Sequence, residues 1–217
     1  MLAQSGRFAT TVVAGDVALL VLAVAGAALL ADFLSDLAHW VFDTWGDTDV
    51  PVIGNGIIRG FREHHADPLA ITRHDFVEAN GATALATIPL LALSFALDPA
   101  RPGGRLGLAF VIALCAFVVA TNQIHLWAHH PRPPRLISAL QRAGLVLSPD
   151  EHALHHAAPF DRHYCITTGW SNAPLARLGF FAALERGISA ATGAIPRRSD
   201  PAEPPPRLEP STSPRTP

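Results

Sequence analysis

Residues 150–159 read DEHALHHAAP and place His152, His155 and His156 within five positions. On a helix the i, i+3 and i+4 side chains share one face, so this spacing predicts three imidazoles aimed at one point. Three neutral imidazoles in that arrangement could hold a metal ion, although a solvated helix face would also tolerate them. Three further groups bear on the choice. In NQIHLWAHH, Asn122, His125 and His129 recur at i, i+3 and i+7, with His130 off that stripe. In REHHADPLAITRHDF, His64 and His65 are adjacent and His74 follows. Adjacent helical side chains diverge by about 100°, so His64 and His65 suit two different ions better than one. In HWVFDTWG, Asp43 stands one helical turn after His39, as a ligand or as the carboxylate that fixes the imidazole tautomer.

Each group alone also fits a solvated or interfacial histidine. Together they supply nine imidazoles: His39, His64, His65, His74, His125, His129, His152, His155 and His156. One ion cannot use nine ligands, whereas two ions with four or five each can. Nitrogen-rich sites suit Fe, Cu, Zn or Ni, so ligand type alone does not name the element. The chain has no HExxH, which argues against the commonest zinc-protease helix. Its two cysteines, Cys115 and Cys165, form no CxxC, so neither a thiolate zinc site nor a disulfide framework is expected. Ligation needs neutral imidazoles, whose reference pKa is ~6.5, so metal should be lost as pH falls below about 6.

The elements that position these groups read as membrane helices. Residues 11–31 carry one charge, Asp16, and at about 1.5 Å per residue would span roughly 30 Å of hydrocarbon. Residues 79–97 and 106–128 are also long and uncharged, with Pro89 expected to kink the former. Arg7, the apolar run and Ala25–Gly26–Ala27 also resemble a cleavable signal peptide. The apolar run continues past them and leads to His39, which favours a retained span. With three spans, residues 32–78 and everything after 128 share one side, and with them all eleven histidines. That side holds Arg59, Arg62, Arg73, Arg132, Arg135, Arg142 and Arg162, against Arg7, Arg101 and Arg105 opposite, so the positive-inside tendency makes it cytoplasmic.

Only 16% of residues are charged, where soluble domains average about 25%, and 49% are hydrophobic. All 16 basic residues are arginine, and the formal net charge of −2 excludes a strongly basic nucleic-acid binder. Residues 1–195 form one domain by this reading, and 196–217, dense in proline, a disordered tail. The expected fold is therefore all-α, an integral membrane helical bundle with a histidine-rich helical cap on its cytoplasmic face. A metal transporter or sensor would need a polar path across the apolar spans, and the sequence offers only Asp16 there. A structural scaffold would leave the histidines without a purpose.

HxxxH followed by HxxHH on a small multi-span protein resembles the membrane desaturases and hydroxylases that hold two irons. The phrases ADF at 31–33, HWVFDTWG at 39–46, IRGFREHHADPLAITRHDFVEANG at 58–81, TNQIHLWAH at 121–129 and YCITTGW at 164–170 carry the likeness further. They are similar to the plasmanylethanolamine desaturase family over roughly residues 31–198. Asp36 departs from the pattern, since relatives usually have glycine there, and a single apolar span precedes ADF.

The resemblance implies an enzyme that converts an alkyl ether phospholipid, plasmanylethanolamine, to its vinyl ether by removing two hydrogens beside the ether oxygen. It implies two non-haem Fe ions on the nine histidines, with Asp43 and Asn122 as possible ligands or supports. O2 is then the co-substrate, and a cytochrome b5-like or ferredoxin-like protein the electron donor. The expected location is a bacterial inner membrane. The chain would enter between the spans, and Arg59, Arg62 and Arg73 could hold the lipid phosphate by charge-assisted bonds. A related di-iron hydroxylase or desaturase acting on another lipid is the alternative within the same chemistry.

Overall fold

A computed structural model describes residues 17–197. Helix α1, Val17–Thr44, is followed by a π-helical turn, Gly54–Ile58, which runs into α2, Arg59–Ala66. A 3-10 turn, Ala70–Arg73, leads to α3, Phe76–Leu93, and then to α4, Pro102–His129. Four shorter helices complete the described chain: α5, Arg135–Arg142; α6, Pro149–Ala153; α7, Asn172–Leu178; and α8, Phe180–Thr192. No strand occurs among the described residues.

Three of these helices are long and apolar enough to cross a membrane: Val17–Thr44, Phe76–Ala96 (α3 with its terminal 3-10 turn) and Pro102–His129. They correspond to the expected spans 11–31, 79–97 and 106–128, with residues 11–16 outside the described residues. Helix α1 runs without a break through Ala25–Ala27 and continues to Thr44. At 28 residues α1 and α4 are each about 42 Å long, more than a hydrocarbon core of ~30 Å, so their last turns project beyond it.

Helix α4 is central and packs against α1 on one side and α3 on the other. The α1–α4 seam is built on Ala27, Ala31 and Leu114, flanked by Phe110, Phe117 and Leu90. Small residues let helix backbones approach closely where surrounding lipid offers no hydrophobic drive to pack. Outward-facing Val21, Leu22, Leu85, Ile88 and Leu93 are exposed, as lipid-facing positions are. Asp75 starts α3 with a capping box: its carboxylate accepts from the Val77 and Glu78 amides, and the Glu78 side chain accepts from the Asp75 amide.

The up–down–up order brings the end of α1, the start of α3 and the end of α4 to one pole of the bundle, where α2, α6 and α8 cap them. Phe181 of α8 packs with Trp40 and Tyr164, and the Trp40 indole N–H donates to Glu185 at 3.0 Å. The start of the expected tail is tied down: the Arg197 amide donates to the Thr44 carbonyl at 2.9 Å. Residues 198–217 of that tail lie outside the described residues.

Candidate metal centre

Eight of the nine singled-out histidines meet at this pole in two adjoining groups. His64, His125, His129, His152 and His156 form one; His39, Asp43, His65 and His155 form the other. Within each group every residue offers a ligand-type atom within 4.8 Å of the others. Helix geometry makes the division. Adjacent residues His64 and His65 diverge into different groups, and α6 with its following turn sends His152 and His156 (i, i+4) one way and His155 the other.

Nε2 atoms face one another inside the five-histidine group. His125 and His152 are 2.8 Å apart, His156 is 3.1 Å from His152, and His156 is 3.1 Å from His64. Two nitrogens each about 2.1 Å from one ion, at a near-right angle, stand about 3 Å apart, so this spacing suits shared coordination. In the second group, Asp43 Oδ2 lies 3.3 Å from His39 Nε2, 3.6 Å from His65 Nε2 and 3.3 Å from His155 Nε2. His65 and His155 Nε2 are themselves 2.9 Å apart.

The second group passes a sharper test of fit. His39 Nδ1 donates to the Tyr164 carbonyl and His155 Nδ1 to the Arg162 carbonyl, both at 2.9 Å. That places the ring proton of each on Nδ1 and leaves Nε2 as a lone pair aimed at the carboxylate. Asp43 Oδ2 and His39 Nε2 are buried and neither has a hydrogen-bond partner among the described residues. Converging acceptors without a donor repel one another unless a cation sits between them, so the residues present fit a metal ion.

Burial keeps the imidazoles neutral, as ligation requires. It pushes His65 down to about 4 against the upward pull of Asp43, and His156 down to about 2, with His155 and other imidazoles adding to the effect. His64 and His152 are held well below the ordinary histidine value for the same reasons. Burial moves the Cys165 thiol the other way, up to about 12, which keeps it protonated and out of the ligand set.

A polar stripe that apolar length does not reveal runs down the last turns of α1: Asp32, Ser35, Asp36, His39 and Asp43. It receives the segment YCITTGW. Asp32, fully buried, accepts from the Thr168 amide at 2.8 Å, the Thr168 hydroxyl and the Trp170 amide at 3.2 Å. The Ser171 hydroxyl donates to Asp36, and the Cys165 amide donates to Asn172 Oδ1 at 2.9 Å. Gly169 turns this segment with φ of +84°, and a Cβ there would meet Leu147 and Glu151 side chains at 3.3 Å. Asp32 thus pins the strap whose Tyr164 carbonyl orients His39. An aspartate at i−7 from a histidine in an apolar helix was the signal available in sequence. Phe160, at φ +60°, stacks on the His65 ring with centroids 4.9 Å apart.

The remaining expected residues sit elsewhere. His74 joins neither group; it is exposed and caps the 3-10 turn ahead of α3. Asn122 donates to the Ala79 carbonyl at 2.9 Å and ties α4 to α3. Arg59 bonds Asn55, Arg62 donates to the Gly46 carbonyl beside Asp47, and Arg73 pairs with Asp67 at 2.6 Å.

The architecture defines a helical membrane protein with two adjoining nitrogen-rich groups that could hold metal ions at one pole of its bundle. Comparison with known proteins narrows that class. Residues 28–199 match the lipid desaturase domain, and the chain belongs to that family. It is 48% identical over 172 residues to plasmanylethanolamine desaturase of Myxococcus xanthus, covering 79% of this chain and 61% of that protein. To plasmanylethanolamine desaturase 1 of Mus musculus it is 45% identical over 188 residues, 84% of this chain and 69% of the relative. A chloroplastic fatty acid desaturase 4 of Arabidopsis thaliana is 38% identical over 175 residues, 78% of this chain and 51% of the relative. No solved structure matches.

Proposed function

We propose that this chain is a lipid desaturase that forms the vinyl-ether double bond of a 1-O-alkyl phospholipid, converting plasmanylethanolamine to plasmenylethanolamine. The observation that carries the reading is the pair of adjoining ligand groups, five histidines beside three histidines and Asp43, at one pole of a membrane bundle. The similarity to two proteins named plasmanylethanolamine desaturase supports the choice of substrate. The Arabidopsis relative supports a second reading, desaturation of an acyl rather than an alkyl chain.

Two iron ions would occupy the groups, His64, His125, His129, His152 and His156 holding one, and His39, His65, His155 and Asp43 the other. When bound they supply the O2 chemistry that removes hydrogen from an unactivated chain. The reaction takes two hydrogens from adjacent carbons. An external donor adds two electrons, two protons enter, and O2 leaves as two waters. The protein's part is to hold eight imidazoles neutral and oriented. The Tyr164 and Arg162 carbonyls fix the Nδ1–H tautomers of His39 and His155, and the buried Asp43 carboxylate offsets positive charge. The centre would lie at the cytoplasmic face of a bacterial inner membrane, a reading supported by the arginines on the histidine side against Arg101 and Arg105 opposite.

The test is expression in a host without vinyl ethers, fed an alkyl ether lipid. Vinyl-ether phospholipid in the extract is the expected result. A new acyl double bond without vinyl ether would favour the second reading, and neither product would overturn both.

A further inference from the structure

The histidine that neither group takes, His74, lines a cavity of about 530 Å³ at the same pole, between the start of α3 and the end of α4. Phe76, Gln123, Trp127, His130 and Arg132 line it too. Apart from Thr72, whose hydroxyl donates to the Leu69 carbonyl at 2.7 Å, its polar side chains can donate into it. His130 Nδ1 accepts the Arg132 backbone N–H at 3.0 Å, which leaves the ring proton on Nε2. Gln123 Oε1 accepts from Asn80 at 3.0 Å, which leaves its amide NH2 free to donate. Among the described residues no carboxylate lines the cavity, and the nearest in sequence, Asp75, is committed to capping α3. Arg132 is exposed, and no acid among the described residues pairs with it, in contrast to Arg59, Arg62 and Arg73.

A lining of a guanidinium, imidazoles and an amide NH2 calls for an anion with several acceptor oxygens. Trp127 sits where an interfacial aromatic belt would lie, at the end of a membrane-crossing helix between His125 and His129 of the metal centre. We propose that this cavity binds the phosphate of the phospholipid substrate, with Arg132 as the principal contact and His74, His130 and Gln123 as further donors. The assignment rests on the lipid-desaturase reading and moves the phosphate site from the three paired arginines to Arg132. The recognised chemistry is a phosphate, whether carried by a lipid or free.

The experiment measures binding to the purified full chain in detergent, by tryptophan fluorescence, for a 1-O-alkyl-2-acyl glycerophosphoethanolamine and for the phosphate-free 1-O-alkyl-2-acylglycerol. The wild type should prefer the phospholipid at least about tenfold. Arg132→Ala should lose that preference, Arg132→Lys should keep part of it, and Arg135→Ala, outside the cavity, should keep all of it. Inorganic phosphate should compete with the phospholipid in the wild type and not in Arg132→Ala. Wild-type affinity in Arg132→Ala, or an equal loss in Arg135→Ala, would overturn the proposal. Phosphate binding without any phospholipid preference would overturn the lipid assignment. Vinyl-ether formation is scored separately: its absence with this binding pattern intact would sink the enzymatic reading and leave the phosphate site standing.

Discussion

The two ligand groups share α2 and the α6 turn, with α1 completing one and α4 the other, and they are held in different ways. The sharper difference lies behind the rings. In the Asp43 group, His39 leans on the Tyr164 carbonyl of the strap pinned by Asp32, and His155 on the carbonyl of Arg162, two residues ahead of it. In the five-histidine group, the Nδ1 atoms of His64, His152 and His156 are buried without a hydrogen-bond partner among the described residues. Those rings are placed by mutual packing, such as the His64–His129 and His129–His152 edge contacts at 4.5 Å. One group is therefore set by backbone carbonyls before any ion arrives, and the other is set by its own crowding. Damage to the strap should be felt on one side of the centre first.

The largest expected effect follows from removing a carbonyl-held ligand itself. His155→Ala should lower vinyl-ether formation by more than about a hundredfold, beyond what losing a supporting bond costs, measured by lipid analysis at matched protein levels. Removing the pin should do less to activity and more to stability. Asp32→Ala strips the acceptor from three donors around a fully buried site and should cost about 2–4 kcal/mol, read by denaturant unfolding. It should also weaken metal binding at the Asp43 group before the five-histidine group. Equal weakening at both would erase the contrast drawn above.

Acid supplies a smaller and more general perturbation. His65 titrates near 4 in the fold and near 6.5 when unfolded, so between those values the unfolded chain binds more protons. Stability of the metal-free protein is thus complete above about 6.5 and declines as pH falls toward about 4, His65 alone accounting for about 2 kcal/mol at pH 5. Metal loss should accordingly begin lower than the reference histidine pKa suggests, which revises the limit near pH 6 drawn from sequence. Unfolding curves that do not change between pH 7 and 5 would contradict this.

The spans and most of the converging histidines were legible because their signals are local. Apolar length marks a crossing helix, and the i, i+3, i+4 spacing of His152, His155 and His156, with the divergence of His64 from His65, follows from helical geometry alone. The supports along α1 were not legible, because they join residues more than a hundred positions apart. Asp32 meets Thr168, and His39 meets Tyr164. YCITTGW stood out as a phrase without a role until the strap was seen to lie on α1. His74 misled for a related reason: it follows His64 and His65 closely in sequence, but the 3-10 turn at Ala70–Arg73 carries it round to the α3 side.

Two adjoining ligand groups imply two ions side by side, one in each, and iron stoichiometry is the deciding measurement. The purified chain should hold two irons, and Asp43→Asn, which keeps the side chain's size and removes its charge, should hold one, in the five-histidine group. One iron in the wild type, or two retained by Asp43→Asn, would contradict it.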